Sequence, residues 1–265
     1  TWTRPAALHD AVAARLACQK VCGWVQGRSE FGPRALGNRS ILADPRPAAH
    51  KDKVNLMVKK REAYRPFAPA VLEEHLAEVC EVPQTRARLD FMTFVLKVRP
   101  ALREVLAAVT HVDGSARVQT VSRATNPQFW TLLEAFRRAT GVPVLLNTSF
   151  NNHVEPIVDS VEDAVTCFLT TGLDFLVIGD LVIERAVAAA PLRYMGWTLP
   201  AHVVAEPDPA GSRLRNRFSG RGAALSPAVA SLLGLAPSAA AGEQRWRRGR
   251  SPCRIARTPW RSRRG

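Results

Sequence analysis

The sequence predicts an α/β protein, a twisted mixed sheet with flanking helices, followed by a disordered basic C-terminal tail. Three observations carry that prediction. From Pro5 to about Arg185, apolar segments of strand length alternate with amphipathic segments of helical spacing. Glycines stand where the clearest helices should stop, at Gly141 and Gly172. The charge is unevenly spread: the chain carries +14, but residues 211–265 hold thirteen arginines, no lysine and one acid, Glu243, which leaves only +2 for the first 210 residues. The body is an ordinary near-neutral globular sequence with a basic tail attached.

Each element follows from its pattern. Leu8, Ala11, Val12 and Leu16 have helical spacing within Ala6–Lys20. Val21–Val25 reads as a strand running into a loop, Gly27–Gly37, punctuated by glycines. Ser40–Ala43 is short and apolar, and Ala48–Lys60 is amphipathic and reads as a helix. Phe67–Leu72 and Phe91–Val98 read as strands, the second because it is rich in aromatic and β-branched residues. Val118–Val121 is a further candidate. Asn126-Pro127 opens a helix through about Thr140, with Phe129, Leu132, Leu133 and Phe136 on one face. Pro143 stands at the entrance of the strand Val144–Leu146, where a missing N–H is tolerated. The polar loop Asn147–Asn152 follows. Ser160 with Asp163 forms a capping-box pattern for a helix through Thr171, and Asp174–Gly179 returns as a strand. These elements define a domain over 1–192. Residues 193–235 read as a weakly structured extension with room for a short helix at Pro227–Leu235. Residues 236–265 lack periodicity and read as a disordered Arg-rich tail.

Several classes are excluded. The longest apolar runs, such as Val142–Leu146 and Phe175–Ile178, are far shorter than the roughly 20 residues of a membrane helix. The opening Thr1–Pro5 lacks the pattern of a signal peptide. Five cysteines (Cys18, Cys22, Cys80, Cys167, Cys253) without a CxxC pair read as free thiols in a reducing compartment, which points to the cytoplasm. None of the six histidines forms an HxxxH or HExxH pair, so no metal site is expected. No Walker A loop, dinucleotide fingerprint or nucleophile elbow is present.

Four clusters could carry chemistry. Gly27–Ser40, GRSEFGPRALGNRS, combines three glycines with Arg28, Arg34 and Arg39, so backbone and guanidinium forks can approach an anion together. A tight surface loop with solvated arginines is the alternative. In Asn55–Pro69, Lys59, Lys60, Arg61 and Arg65 lie within seven residues. Lys60 and Arg61 suit a helix C-terminus. Arg65 stands where the chain enters a core strand, and a charge there needs a partner. In Thr110–Val121, Arg117 begins a strand after the Asp113-Gly114 turn, and His111 with Asp113 reads as an acid/base pair or a turn-stabilising contact. In Leu145–Ser160 a strand ends in Asn147, Thr148, Ser149, Asn151 and Asn152, where open α/β sheets gather ligands.

Together these segments, GRSEFGPRALGNRSILADPR, REAYRPFAPAVLEE, THVDGSARVQTV and TGVPVLLNTSFNNHVEPIVDSVEDAVTCFLTTGLDFLVIGD, resemble the C-terminal domain of the nodulation and antibiotic O-carbamoyltransferases, over about Cys18–Arg185. The resemblance implies a YrdC-like fold that forms carbamoyl-adenylate from carbamoyl phosphate and ATP, with Mg²⁺ sharing the neutralisation of charge. By motif position it assigns Arg34, Lys59, Arg65 and Arg117 to phosphate binding, and Ser149 and Asn151 to an SxN element beside the nucleotide. It places Lys59, Arg65 and Ser149 closest to the chemistry. It also implies an N-terminal ASKHA-type domain with an HxxxH metal site, in cis or in trans, that passes the carbamoyl group to a hydroxyl of a secondary metabolite. The chain is then a fragment, or its partner domain is encoded separately. Val154 departs from the glycine that many relatives place before the Glu-Pro. The competing readings are a nucleic-acid-binding module using the basic tail, which is more simply a solvated segment, and an inactive fragment of the same family.

Overall fold

A computed structural model describes residues 1–56, 67–82, 88–152 and 155–185, and three strands within 203–225. The first unit is built on an eight-stranded mixed sheet. Its strands are β1 (Trp2–Thr3), β2 (Cys22–Val25), β3 (Arg39–Ala43), β4 (Ala68–Leu72), β7 (Gln119–Val121), β8 (Val144–Ser149), β9 (Phe175–Ile178) and β10 (Leu181–Glu184). They lie in the order β1-β10-β9-β2-β3-β8-β4-β7. Pairs β2–β9 and β4–β7 are parallel and the remaining pairs antiparallel. A separate two-stranded ribbon joins β5 (Val95–Lys97) to β6 (Ser115–Arg117). The helices are α1 (Leu8–Ala17), α2 (Ala49–Val54), α3 (Leu76–Val79), α4 (Pro127–Thr140) and α5 (Val161–Thr170). The predicted fold class, a mixed sheet with flanking helices, is what forms.

Local signals explain the two best-defined helices. Asn126 caps α4, its side chain accepting from the Phe129 amide at 3.1 Å, and Gly141 closes the helix with φ 85°. Its stripe of Phe129, Leu132, Leu133 and Phe136 is fully buried against α1, β4 and β8. Each such side chain contributes about 1.5–3 kcal/mol by leaving water. On α5 the capping box forms as expected, with Ser160 Oγ accepting from the Asp163 amide and Asp163 Oδ2 from the Ser160 amide, both at 3.1 Å. Trp24, Phe136, Phe150 and Phe175 complete the centre of the core.

Several expectations need correction. β8 does not stop at Leu146 but continues through Ser149, so Asn147, Thr148 and Ser149 belong to a strand and not to a loop. The expected strand Phe91–Val98 shrinks to Val95–Lys97, and Phe91 and Phe94 lie on the surface. Arg117 ends β6 instead of beginning a strand. β10 folds back on β9 as a hairpin and β1 pairs with it at the sheet edge, two strands that the expected element list did not include. Cys22, Cys80 and Cys167 are buried free thiols.

The second unit contains β11 (Val203–Asp208), β12 (Gly211–Asn216) and β13 (Gly222–Leu225), an antiparallel meander. The expected helix at 227–235 and the tail at 236–265 lie outside the described residues. Among the described residues no helix is long and apolar enough to cross a membrane.

Candidate functional site

The loop between β2 and β3 is organised by one carboxylate. Glu30 Oε1 accepts from the backbone amides of Leu36, Asn38 and Arg39 at 2.6, 2.8 and 3.3 Å. Asn38 donates to the Arg28 carbonyl at 2.9 Å and accepts from Asn126 Nδ2 at 3.0 Å, which ties the loop to the start of α4. Trp24 Nε1 donates to the Gly37 carbonyl at 2.9 Å. Gly37 has φ 113°, and a Cβ there would meet the Phe129 ring at 2.2 Å, so this glycine permits the loop to lie directly on α4. Arg39 is buried, with Nη1 donating at 3.0 Å to the carbonyls of both Gln26 and Asn38. These bonds tie its guanidinium to the backbone of the loop.

Held this way, the loop forms one lip of a cleft of about 80 Å³ lined by Arg34, Met92, Arg117, Asn147, Thr148 and Ser149, among others. Burial, and then the charge of Arg34, lowers the Arg117 pKa from its usual value. No carboxylate pairs with either arginine among the described residues. Two like charges converging without a counterion describe a place prepared for an anion.

Of the residues expected from the sequence, Arg34, Arg117 and Ser149 come together in this cleft. Asn151 stands beside it, accepting from Ser149 Oγ at 2.8 Å and donating to the Glu155 carbonyl at 2.8 Å. Lys59 and Arg65 lie outside the described residues. Sequence reasoning singled out Asn147 but missed three residues that support the geometry, Glu30, Gln119 and Met92. Glu30 shapes the loop. Gln119 Nε2 donates to the Leu36 carbonyl at 2.8 Å, and Asn147 bridges Gln119 to the Ala35 carbonyl. Met92, at φ 55°, holds a conformation uncommon for a side-chain-bearing residue in the cleft wall. No local pattern marks Gln119, because its partners are distant in sequence.

The other polar clusters are structural. Asp113 Oδ1 accepts from the Ser115 amide at 2.9 Å and from Ser115 Oγ at 2.6 Å, and these bonds hold its carboxyl well below the usual range. His111 Nδ1 lies 3.3 Å from Ser115 Oγ, and burial lowers its pKa. The His111–Asp113 pair is thus a turn stabiliser working through Ser115. A wider hollow of about 630 Å³ at the start of α1 includes Arg4, Asp10, Arg138 and Asp180. Its charges already satisfy one another, Arg4 with Asp180 at 2.8 Å and Arg138 with Asp10 at 2.7 Å. We therefore place the functional centre in the smaller cleft.

The family model for the carbamoyltransferase C-terminus matches residues 13–185. The chain belongs to the carbamoyltransferase C-terminal family. Nodulation protein NolNO of Sinorhizobium fredii is 63% identical over 184 residues, which cover 68% of this chain and 27% of NolNO. Nodulation protein NolO of Bradyrhizobium diazoefficiens is 62% identical over 182 residues, covering 69% and 33%. The 3'-hydroxymethylcephem-O-carbamoyltransferase of Amycolatopsis lactamdurans is 43% identical over 185 residues, covering 70% and 34%. This carbamoyltransferase C-terminal chain thus matches between about a quarter and a third of the length of these curated relatives. A crystal structure of full-length HypF in the phosphate- and nucleotide-bound form covers 83% of the chain and 26% of HypF, at TM-score 0.44 and 14% identity, a likeness too loose to define a common fold. The family match spans the whole cleft, from the Glu30 loop to Ser149.

Proposed function

We propose that this domain activates a carbamoyl group, forming carbamoyl-adenylate from carbamoyl phosphate and ATP in a YrdC-like site. The observation that carries the reading is the Arg34–Arg117 cleft at the end of β8, where neither arginine pairs with a carboxylate among the described residues. Joining two polyanions requires that their repulsion be suppressed, and fixed guanidinium groups do this without reorganising during the reaction. Lys59 and Arg65 complete the cation set, and Ser149 with Asn151 orients the nucleotide. The balance needs one water. Carbamoyl phosphate and water give carbamate and phosphate, and a carbamate oxygen then attacks the α-phosphorus of ATP with loss of pyrophosphate. No protein nucleophile enters this scheme, so the role of the site is alignment and neutralisation.

Among the described residues no carboxylate lines the cleft, and Glu30 and Asp113 are committed to backbone and hydroxyl donors. In this reading Mg²⁺ arrives on the phosphates of ATP. In this reading a separate N-terminal ASKHA-type domain, in cis or in trans, carries the carbamoyl group to the hydroxyl of a secondary metabolite.

The test uses the 265-residue chain with ATP, Mg²⁺ and carbamoyl phosphate. We expect slow release of pyrophosphate that depends on carbamoyl phosphate, and no O-carbamoylated alcohol by mass spectrometry. Pyrophosphate release that ignores carbamoyl phosphate would refute the activation step. A carbamoylated alcohol formed by the chain alone would refute the division of labour.

A further inference from the structure

Asn147 lines the cleft and carries a buried side-chain oxygen with no hydrogen-bond partner. The residue is 1% exposed. Its Nδ2 donates to Gln119 Oε1 at 2.7 Å and to the Ala35 carbonyl at 3.1 Å, which uses both of its hydrogens. Gln119 is itself fixed, because its Nε2 donates to the Leu36 carbonyl at 2.8 Å. Flipping the Asn147 amide would set its oxygen against two acceptors, so the hydrogen-bond chain permits one orientation. In that orientation Oδ1 is buried and has no partner.

The surrounding chemistry is of the opposite kind. Arg34 and Arg117 only donate, while the Thr148 and Ser149 hydroxyls can do either. A phosphate group only accepts, so it satisfies the arginines and leaves Asn147 Oδ1 unanswered. A carbamoyl group differs from acetyl, and from an ionised carboxylate, in bearing an –NH₂ with two hydrogens to give.

We propose that Asn147 Oδ1 accepts a hydrogen bond from the carbamoyl –NH₂ and so selects carbamoyl phosphate over acyl phosphates that lack a donor. The proposal rests on the reading of this cleft as a carbamoyl phosphate site. Acetyl phosphate is the sharp comparison, because methyl and amino groups are close in size. The choice then depends on a hydrogen bond and not on fit, the situation in which a polar site rejects the wrong analogue most strongly.

Calorimetric titration of the full chain with carbamoyl phosphate, acetyl phosphate and inorganic phosphate tests this. The wild type should bind carbamoyl phosphate at least about tenfold more tightly than acetyl phosphate. Asn147→Ala should bring the two within about twofold. Gln119→Met, which removes the acceptor that orients the amide, should erode the preference in the same direction. Wild-type affinities for carbamoyl and acetyl phosphate within twofold of each other would overturn the proposal and leave the anion site intact. If none of the three compounds binds, the underlying reading falls with it. Should Asn147→Ala also lose inorganic phosphate, the wild-type comparison decides the matter.

Discussion

Arg34 and Arg117 share one cleft, where burial and then the charge of the first lower the pKa of the second. Repulsion of that kind is tolerated where a ligand relieves it. Arg34→Ala and Arg117→Ala should each weaken carbamoyl phosphate and ATP binding by about 10- to 100-fold, the worth of a charge-assisted hydrogen bond. Lys59→Ala and Arg65→Ala should do the same. Arg138→Ala, whose partner Asp10 lies on the surface, serves as the control. Equal losses for Arg34 and Arg138 variants in calorimetric titration would reduce the site to a generic basic surface.

Glu30 touches no ligand in this scheme but positions the lip that carries Arg34. Glu30→Ala removes the acceptor of three backbone amides, and should raise the Kd for phosphate about tenfold or more. Glu30→Gln keeps an oxygen in place and should recover most of that loss. Equal phosphate affinities for Glu30→Ala and the wild type would show that the loop holds its shape without this residue.

Gly37 and Gly27 both have positive φ, yet their surroundings differ. At Gly37 a Cβ would meet Phe129 at 2.2 Å, whereas nothing lies within 4 Å of one at Gly27. Gly37→Ala should therefore cost about 3 kcal/mol, combining backbone strain with overpacking, and Gly27→Ala about 1 kcal/mol from strain alone. Denaturant unfolding at neutral pH would compare them. A Gly37 variant no less stable than the Gly27 variant would contradict the close packing of loop on helix.

Burial pushes the Cys80 thiol up to about 12 from 9.0, and raises Cys22 as well. A folded-state pKa above the unfolded one means that the native protein holds its proton longer. The resulting stability is complete below about pH 9 and is lost as the pH climbs from there towards 12. Thermal unfolding should show the melting temperature falling over that interval, with Cys80→Ala reducing the steepness. A slope unchanged by the substitution would assign the alkaline loss to other groups.

Much of this architecture was legible in the sequence because its signals are local. Asn126 and Gly141 bracket α4 as caps, and Ser160 with Asp163 announces α5 within four residues. Arg34, Arg117 and Ser149, which the family resemblance assigned to the site by motif position, line one cleft. The misreadings arise where distant partners decide. Asn147 looks like a loop residue until Ala35 and Gln119 satisfy its amide from 112 and 28 positions away. Phe91 and Phe94 have strand-forming side chains, but the chain there turns and leaves them on the surface. The β9–β10 hairpin did carry a cue, Gly179-Asp180 between two apolar runs, with Gly179 at φ 58°.

The continuation of β8 through Ser149 also decides which side of the cleft can move. β8 lies inside the sheet, with Ser149 opposite Ser40 on one flank and Asn147 opposite both Leu42 and Ala68. Displacing that wall would break ladder bonds to its neighbours, so it acts as an anvil. The opposite lip hangs on Glu30, Asn38 and Gly37, contacts that can be remade without disturbing the sheet. Adaptation to a substrate is then one-sided. The groups on β8 stay in fixed positions while Arg34 travels with the lip, and the entropy lost on binding falls on a dozen loop residues, roughly, and not on the domain.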